Sequence, residues 1–332
     1  MRRKAWWFGV GLLGALGASL WLALGIGAVP LSFGELWCVL WHRSDYADTT
    51  ASLILWELRL PRVLLAACVG GGLGMVGCAF QGLLRNPLAD PYIVGVSSGS
   101  AVGAAVGVLL GWHTLGFGLG LTGLAFLSGL MVLALVMALS RRNGSLRMSS
   151  FLLTGVAISA SLWGVVTLLL VLAGEDLGRV LYWLLGGLLN ADWQRLEWVA
   201  VPTALGGLVL MGQARALNLY AAGEEVAIHL GVSVERLKWS VLAAGSLMVS
   251  ATVAVAGIIG FVGWLVPHLL RRVLGGDHRM LIPLSALGGA LLLVWADTLA
   301  RTLARPVELP VGVITALIGT PVFVWIMRQQ KE

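Results

Sequence analysis

Between Asp90 and Arg141 the chain carries no Asp, Glu, Lys or Arg, and this uncharged run is one of several. No other feature constrains the fold so strongly. A soluble domain covers its surface with roughly 25% charged residues, whereas this chain of 332 residues is 11% charged and 58% apolar. Lipid must solvate much of it. Lipid offers the backbone no hydrogen bonds, so spanning segments are helices or a closed barrel. The apolar runs are continuous and do not alternate with polar residues, which selects helices. The expected fold class is all-α integral membrane, a polytopic bundle of about ten transmembrane helices with short cytoplasmic coupling helices.

A span takes about 20 apolar residues. Runs of that kind occupy 5–29, 63–84, 91–110, 117–140, 148–174, 198–214, 280–300 and 309–327, with a turn at 112–116. The first run follows Arg2, Arg3 and Lys4. It is longer than the apolar core of a secretory signal, about 7–15 residues, and reads as a retained span. The stretch 239–270 is long for one helix and short for two, and charge decides. Two helices put both termini on one side with 15 basic residues, against 7 on the other; one helix gives 12 against 10. The positive-inside rule selects two and assigns both termini to the cytoplasm. Gly257, Gly260 and Gly263 are expected to turn the chain into a short, irregular second helix ending near Pro267. Gly99, Gly103, Gly107 and Gly111 recur every fourth residue, as on a close-packing face. The net charge of +6 fits basic loops between spans better than nucleic-acid binding.

Nothing in the chain spells out catalysis. A phosphate-binding Gly-x-x-x-x-Gly-Lys-Ser/Thr loop is missing, and none of the three lysines, Lys4, Lys238 and Lys331, follows a glycine. His-Glu-x-x-His and Cys-x-x-Cys are also missing, and Cys38, Cys68 and Cys78 read as small buried hydrophobes. No catalytic residue, metal ligand or cofactor is expected. Asp297 is the only acid well inside a span. Ion-coupled transporters place ionisable groups along their path, so the driving energy is expected from a partner.

Four segments carry more information. Arg59-Leu60-Pro61-Arg62 opens a glycine-rich span that leads to Gln81-Gly82-Leu83-Leu84-Arg85-Asn86-Pro87-Leu88-Ala89-Asp90-Pro91. Its two late prolines push the preceding residues off the helical conformation. Gly223-Glu224-Glu225-Val226-Ala227-Ile228-His229-Leu230-Gly231 reads as a short helix ended at Gly231, with Ser233 capping a second short helix. The third segment runs from Gly257 through Pro267-His268 to Asp277-His278-Arg279. The fourth combines Ala296-Asp297 and Arg301 with Glu308-Leu309-Pro310-Val311-Gly312 and Gly319-Thr320-Pro321.

In this order and spacing, from about Arg59 to Met327, the segments resemble the FecCD-type permeases of ABC importers for iron–siderophore complexes, haem or cobalamin. The resemblance implies one permease domain over 1–332: a first span at 5–29, spans two to six within 59–215, a coupling segment at 216–238 and spans seven to ten within 239–328. It implies a homodimer in a bacterial cytoplasmic membrane, two copies of a cytoplasmic ATPase, and a periplasmic or lipoprotein binding protein. Energy would come from the partner, with no chemistry on the cargo. By the same resemblance Arg59, Arg62 and Arg301 would dock the binding protein, and Asn86, Leu88, Met148 and Ser149 would form a cytoplasmic gate. Gly223, Glu224, Glu225, Ala227, Leu230 and Gly231 would couple to the ATPase. Cobalamin importers carry small hydroxyl residues at the start of the fifth span. Here Arg147-Met148-Ser149 matches only at Ser149, which weakens a cobalamin assignment; no motif separates siderophore, haem and cobalamin, and iron compounds are the wider class. Two other classes fit a helical membrane protein: an ion-coupled secondary transporter, and a scaffold that moves nothing.

Overall fold

A computed structural model of the chain describes residues 2–27, 29–42, 46, 49–142 and 145–329. Arg43 and Lys331, two of the charges used for topology, lie outside the described residues. The principal helices among the described residues are α1 (Arg2–Gly25), α2 (Leu60–Leu83), α3 (Val96–Leu109), α4 (Leu119–Ser140), α5 (Met148–Leu172), α6 (Trp193–Gly212), α7 (Val234–Ala256), α8 (Val262–Leu274), α9 (His278–Ala300) and α10 (Val311–Gln329). Six helical stretches are long and apolar enough to cross a membrane; α6 joins them if taken with Ala214–Ala222, from which it is bent by 50°. The remaining three, α3, α8 and α10, are shorter.

Local chemistry sets the helix ends. Asp90, Asp192 and Asp277 each accept a backbone N–H two or three residues ahead, from Tyr92 at 2.8 Å, Arg195 at 2.6 Å and Arg279 at 3.1 Å. Such side chains satisfy donors that a helix start leaves unpaired. Between α7 and α8 the chain reverses through Gly257 (φ 67°) and Phe261 (φ 69°).

The core lies around α2, which packs against α9, α6, α8 and α7. In the most apolar stretch of α2, 83% of residues are buried inside the chain, against 11% in α5. Glycine makes this possible. A Cβ at Gly70 or Gly74 would fall on the carbonyls of Gly289 or Ser285 in α9, and one at Gly77 on the carbonyl of Gly263 in α8. Backbones that approach so closely leave no room for a side chain.

Several sequence expectations hold in detail. Two helices fill 239–270, the turn follows α3, and Gly99 and Gly103 face Val132 and Ser128 of α4 at contact distance. Others are corrected. Gly263 and Pro267 lie inside α8, and Gly263 serves close packing against Pro91 and Leu73. Ser233 makes no side-chain cap, and the helix after it is α7 itself, 23 residues long. The span continues through Glu235 and Lys238 because those charges pair with each other at 3.2 Å. The second short helix is Ala214–Ala222, ahead of Gly223. The short helices Phe33–Trp41 and Leu177–Leu184 were too brief to stand out as apolar runs.

Candidate functional site

Charged side chains gather at the two ends of the bundle, and the arrangements differ. At one end Asp297 of α9, 1% exposed, holds two arginines. Arg62 grips it with Nε at 3.0 Å and Nη2 at 2.9 Å, and reaches Glu308 with Nη1 at 2.9 Å. Arg301 meets the same carboxylate at 3.1 Å. The arginines also close the end of α1, whose last carbonyls have no helical partner. Arg59 donates to the carbonyls of Leu24 at 2.7 Å, Gly25 at 3.2 Å and Val29. Arg301 donates to those of Ala23 and Ile26, both at 3.3 Å, and Arg305 to that of Gly27 at 2.8 Å. Cations suit this position because a helix C-terminus carries partial negative charge.

Arg59, Arg62 and Arg301, which by the resemblance would dock a binding protein, all belong to this cluster. Arg59 and Arg62 lie inside one continuous helical stretch, Thr50–Leu83, and Arg301 caps the end of α9; the three are only 6%, 9% and 7% exposed. Burial is tolerated because carboxylates and carbonyls inside the chain take up their donors. The sequence shows an arginine at each place but not the five carbonyls that α1 and its following turn bring to Arg59 and Arg301.

At the opposite end the candidate gate and coupling residues meet. Asn86 Oδ1 accepts the Leu88 N–H at 2.9 Å, which folds the loop after α2 into a tight turn with both residues exposed. Met148 begins α5, and Ser149 next to it is exposed. Met148, Ser149 and Glu224 line one recess of about 540 Å³ with Arg85, Leu146 and Lys238. Gly223 (φ 145°) and Gly231 (φ 83°) bracket the helix Glu224–His229. Ala227 packs inward, while Glu225, Val226, Ile228 and Leu230 face out. Asn218 braces the preceding helix by donating to Asp277 at 2.7 Å and accepting the His278 N–H at 2.8 Å. The Arg279 guanidinium, and then Asn218, hold the Asp277 carboxyl well below the usual carboxylate range. Burial pushes the Asp90 carboxyl up to about 6, against the bond from Tyr92.

The sequence reading missed Arg85, Tyr220, Glu235 and Lys238 as members of this recess. The available signal was Lys238 itself, a lysine three residues after Glu235 at the border of an apolar run. A separate cavity of about 450 Å³ lies between α7 and the loops before α4 and α6; His113, Arg179, Trp183 and Arg195 are in its lining. Its two arginines are each paired with a neighbouring carboxylate, Arg179 with Asp176 at 2.6 Å and Arg195 with Asp192.

Comparisons with known proteins agree with this architecture. A family model described as the FecCD transport family matches residues 15–329. The chain is 42% identical to the cobalamin import system permease protein BtuC of Halobacterium salinarum, over 95% of this chain and 81% of that protein. It is 40% identical to the hemin transport system permease protein HmuU of Yersinia pestis, over 94% and 93%. A solved ABC transporter chain of metal-chelate type, in an inward-facing conformation, superposes with a TM-score of 0.86 at 33% identity, covering 97% of this chain and 99% of that one. A family match across nearly the whole helical bundle, together with relatives at this identity, establishes that the chain is an ABC transporter permease and belongs to the FecCD transport family.

Proposed function

We propose that the chain is the membrane-spanning subunit of a binding-protein-dependent ABC importer and passes a metal chelate into the cytoplasm by alternating access. An iron–siderophore, haem or cobalamin is the proposed cargo class, supported by the cargoes named for the relatives. A partner ATPase supplies the energy, and the permease performs no chemistry on the cargo. The observation that carries the proposal is the Glu224–His229 helix. It offers Val226, Ile228 and Leu230 outward from a base fixed by Asn218 and Lys238. An apolar knob on a braced base is what a soluble partner needs in order to push on the bundle.

In this reading the Glu224–His229 end is cytoplasmic, as are both termini, and Gly223, Glu224, Glu225, Ala227, Leu230 and Gly231 meet the ATPase. Asn86, Leu88, Met148 and Ser149 gate the inner mouth. Two copies form the transporter, and the outward-facing apolar surface of α5 (Leu153, Leu168, Val171) meets lipid or the second copy. A binding protein docks at the Asp297 end. For Arg59, Arg62 and Arg301 to receive it, carboxylates of that protein must replace Asp297, Glu308 and the α1 carbonyls. Single cysteines at Arg279 and Arg305, both exposed, test the orientation. An impermeant maleimide should label only the Arg305→Cys protein in intact cells.

Uptake tests the function. Proteoliposomes holding permease and ATPase, supplied with the binding protein, should accumulate a ferric siderophore, hemin or cobalamin only when ATP is present. Accumulation driven by a proton or sodium gradient without the ATPase would instead establish the secondary transporter.

A further inference from the structure

We infer that Lys238 is a positioning residue that ties the Glu224–His229 helix to both halves of the inner gate, so that one displacement reaches both. The inference rests on the reading that this helix docks the ATPase. A lysine ammonium has three N–H donors and no acceptor. Lys238 Nζ lies 2.9 Å from Glu224 Oε1, 3.2 Å from Glu235 Oε1 and 3.2 Å from the Leu146 carbonyl. Its three donors thus go to three segments: the short coupling helix, α7 and the short strand Ser145–Leu146 that leads into α5.

The acceptors continue the connection. Glu235 Oε2 accepts the Leu146 N–H at 3.0 Å, so the Leu146 backbone is held at both its amide and its carbonyl by two side chains of α7. Two residues later α5 begins with Met148 and Ser149. The other oxygen of Glu224 faces Arg85 Nη2 at 3.6 Å and the Tyr220 hydroxyl at 3.4 Å, and the Arg85 guanidinium lies 4.5 Å above the Tyr220 ring. Arg85 has left-handed backbone (φ 48°) and leads directly into Asn86 and Leu88. One carboxylate therefore joins the loop after α2 through one oxygen and the start of α5 through the other.

Burial makes the tie directional. Lys238 is 5% exposed, whereas Glu224 is partly in water. If the short helix moves, Glu224 can be rehydrated but the ammonium cannot follow it out of the bundle. It must keep partners inside, which pulls on Leu146. A lysine placed only to meet the positive-inside rule would need neither this burial nor three acceptors from separate segments.

The test uses the permease–ATPase complex in nanodiscs, in a background without Cys38, Cys68 and Cys78, carrying either Leu88→Cys or Ser149→Cys. Three quantities are read: ATPase co-purification, ATP hydrolysis, and the rate of maleimide labelling with and without ATP plus vanadate. Lys238→Met should keep the ATPase bound and hydrolysing, yet cut the nucleotide-dependent change in labelling at both thiols by about fivefold or more. Lys238→Arg, which keeps a charged donor, should restore at least half of it. If Lys238→Met does not insert, Glu235→Gln takes its place. It leaves the Glu224–Lys238 pair intact and should blunt the response at Ser149→Cys but not at Leu88→Cys. A parent that responds to nucleotide while Lys238→Met responds equally at both thiols, or Glu235→Gln equally at Ser149→Cys, overturns the inference alone. A parent that shows no response at either thiol overturns the docking reading beneath it.

Discussion

The two ends of this bundle use the same chemistry for different purposes. At the Asp297 end three arginines and a fully buried carboxylate close on helix termini, and nearly all their bonds stay within α1, α2, α9 and the turns that follow α1 and α9. At the Lys238 end one buried cation meets carboxylates that are about 40% exposed, and its bonds join the short Glu224–His229 helix, α7 and the strand before α5. A buried ion pair that loses one partner strands a charge in low dielectric, whereas a half-exposed carboxylate can exchange its partner for water at little cost. The Asp297 cluster therefore suits a clamp, and the Lys238 cluster a joint. The comparison can be broken in a graded way.

The largest effect is expected from Asp297→Ala, which takes from Arg62 and Arg301 the buried carboxylate they share and leaves Arg62 only Glu308. It should cost roughly 3–5 kcal/mol and appear as loss of the monodisperse peak in detergent, whether or not a binding protein is present. Glu224→Gln, at the joint, should cost only about 0–1 kcal/mol in stability, with a nearly unchanged melting temperature. It should nevertheless reduce the transport obtained per ATP hydrolysed. Equal losses of stability in the two variants would erase the distinction between clamp and joint.

A smaller effect sharpens the role of Arg59. Arg59→Gln removes a cap from α1 and should lower stability by about 1–3 kcal/mol. If the binding protein's carboxylates also reach this arginine, its association should slow at low salt, with the difference shrinking at high salt. A lower melting temperature with wild-type association at both salt concentrations makes the cluster an internal clamp only.

How far the sequence reaches can be read from the same residues. The ten principal helices among the described residues and the break inside 239–270 follow from apolar runs and charge asymmetry, because bilayer thickness and backbone hydrogen bonding act on the chain locally. The resemblance carried by the four motif segments supplies the candidate gate and coupling residues. The partners of Arg59 were not legible: they are backbone carbonyls of α1, some 30 residues away, and a carbonyl has no letter in a sequence. Lys238 was equally hidden. Its charge was counted toward topology, although its burial depends on Leu146 and Glu224, which only the fold brings to it. The Gly70, Gly74 and Gly77 ridge was visible as composition, but not the α8 and α9 carbonyls it admits.

A further effect concerns pH. Asp90 titrates near 3.8 when solvated and about 6 in the folded chain. Its protonated form is the favoured one inside, so this contribution is complete below pH 3.8 and is lost as pH rises through about 6. It amounts to at most about 3 kcal/mol. Asp90→Asn should therefore gain melting temperature relative to the unsubstituted protein between pH 4 and pH 7, and match it at pH 4. A constant difference across that range would contradict the assignment.

The central claim is that a partner's nucleotide cycle moves the inner mouth through the Glu224–His229 helix. Its most direct measurement is cross-linking of the Leu88→Cys thiols of two permease copies in the ATPase-bound complex, in a background without native cysteines. The expected result is a yield that changes between nucleotide-free and ATP–vanadate states, transport that stops once the link forms, and loss of the nucleotide response when Leu230→Glu disrupts the coupling helix. A yield that is the same in every nucleotide state, or a response that survives Leu230→Glu undiminished, would contradict it.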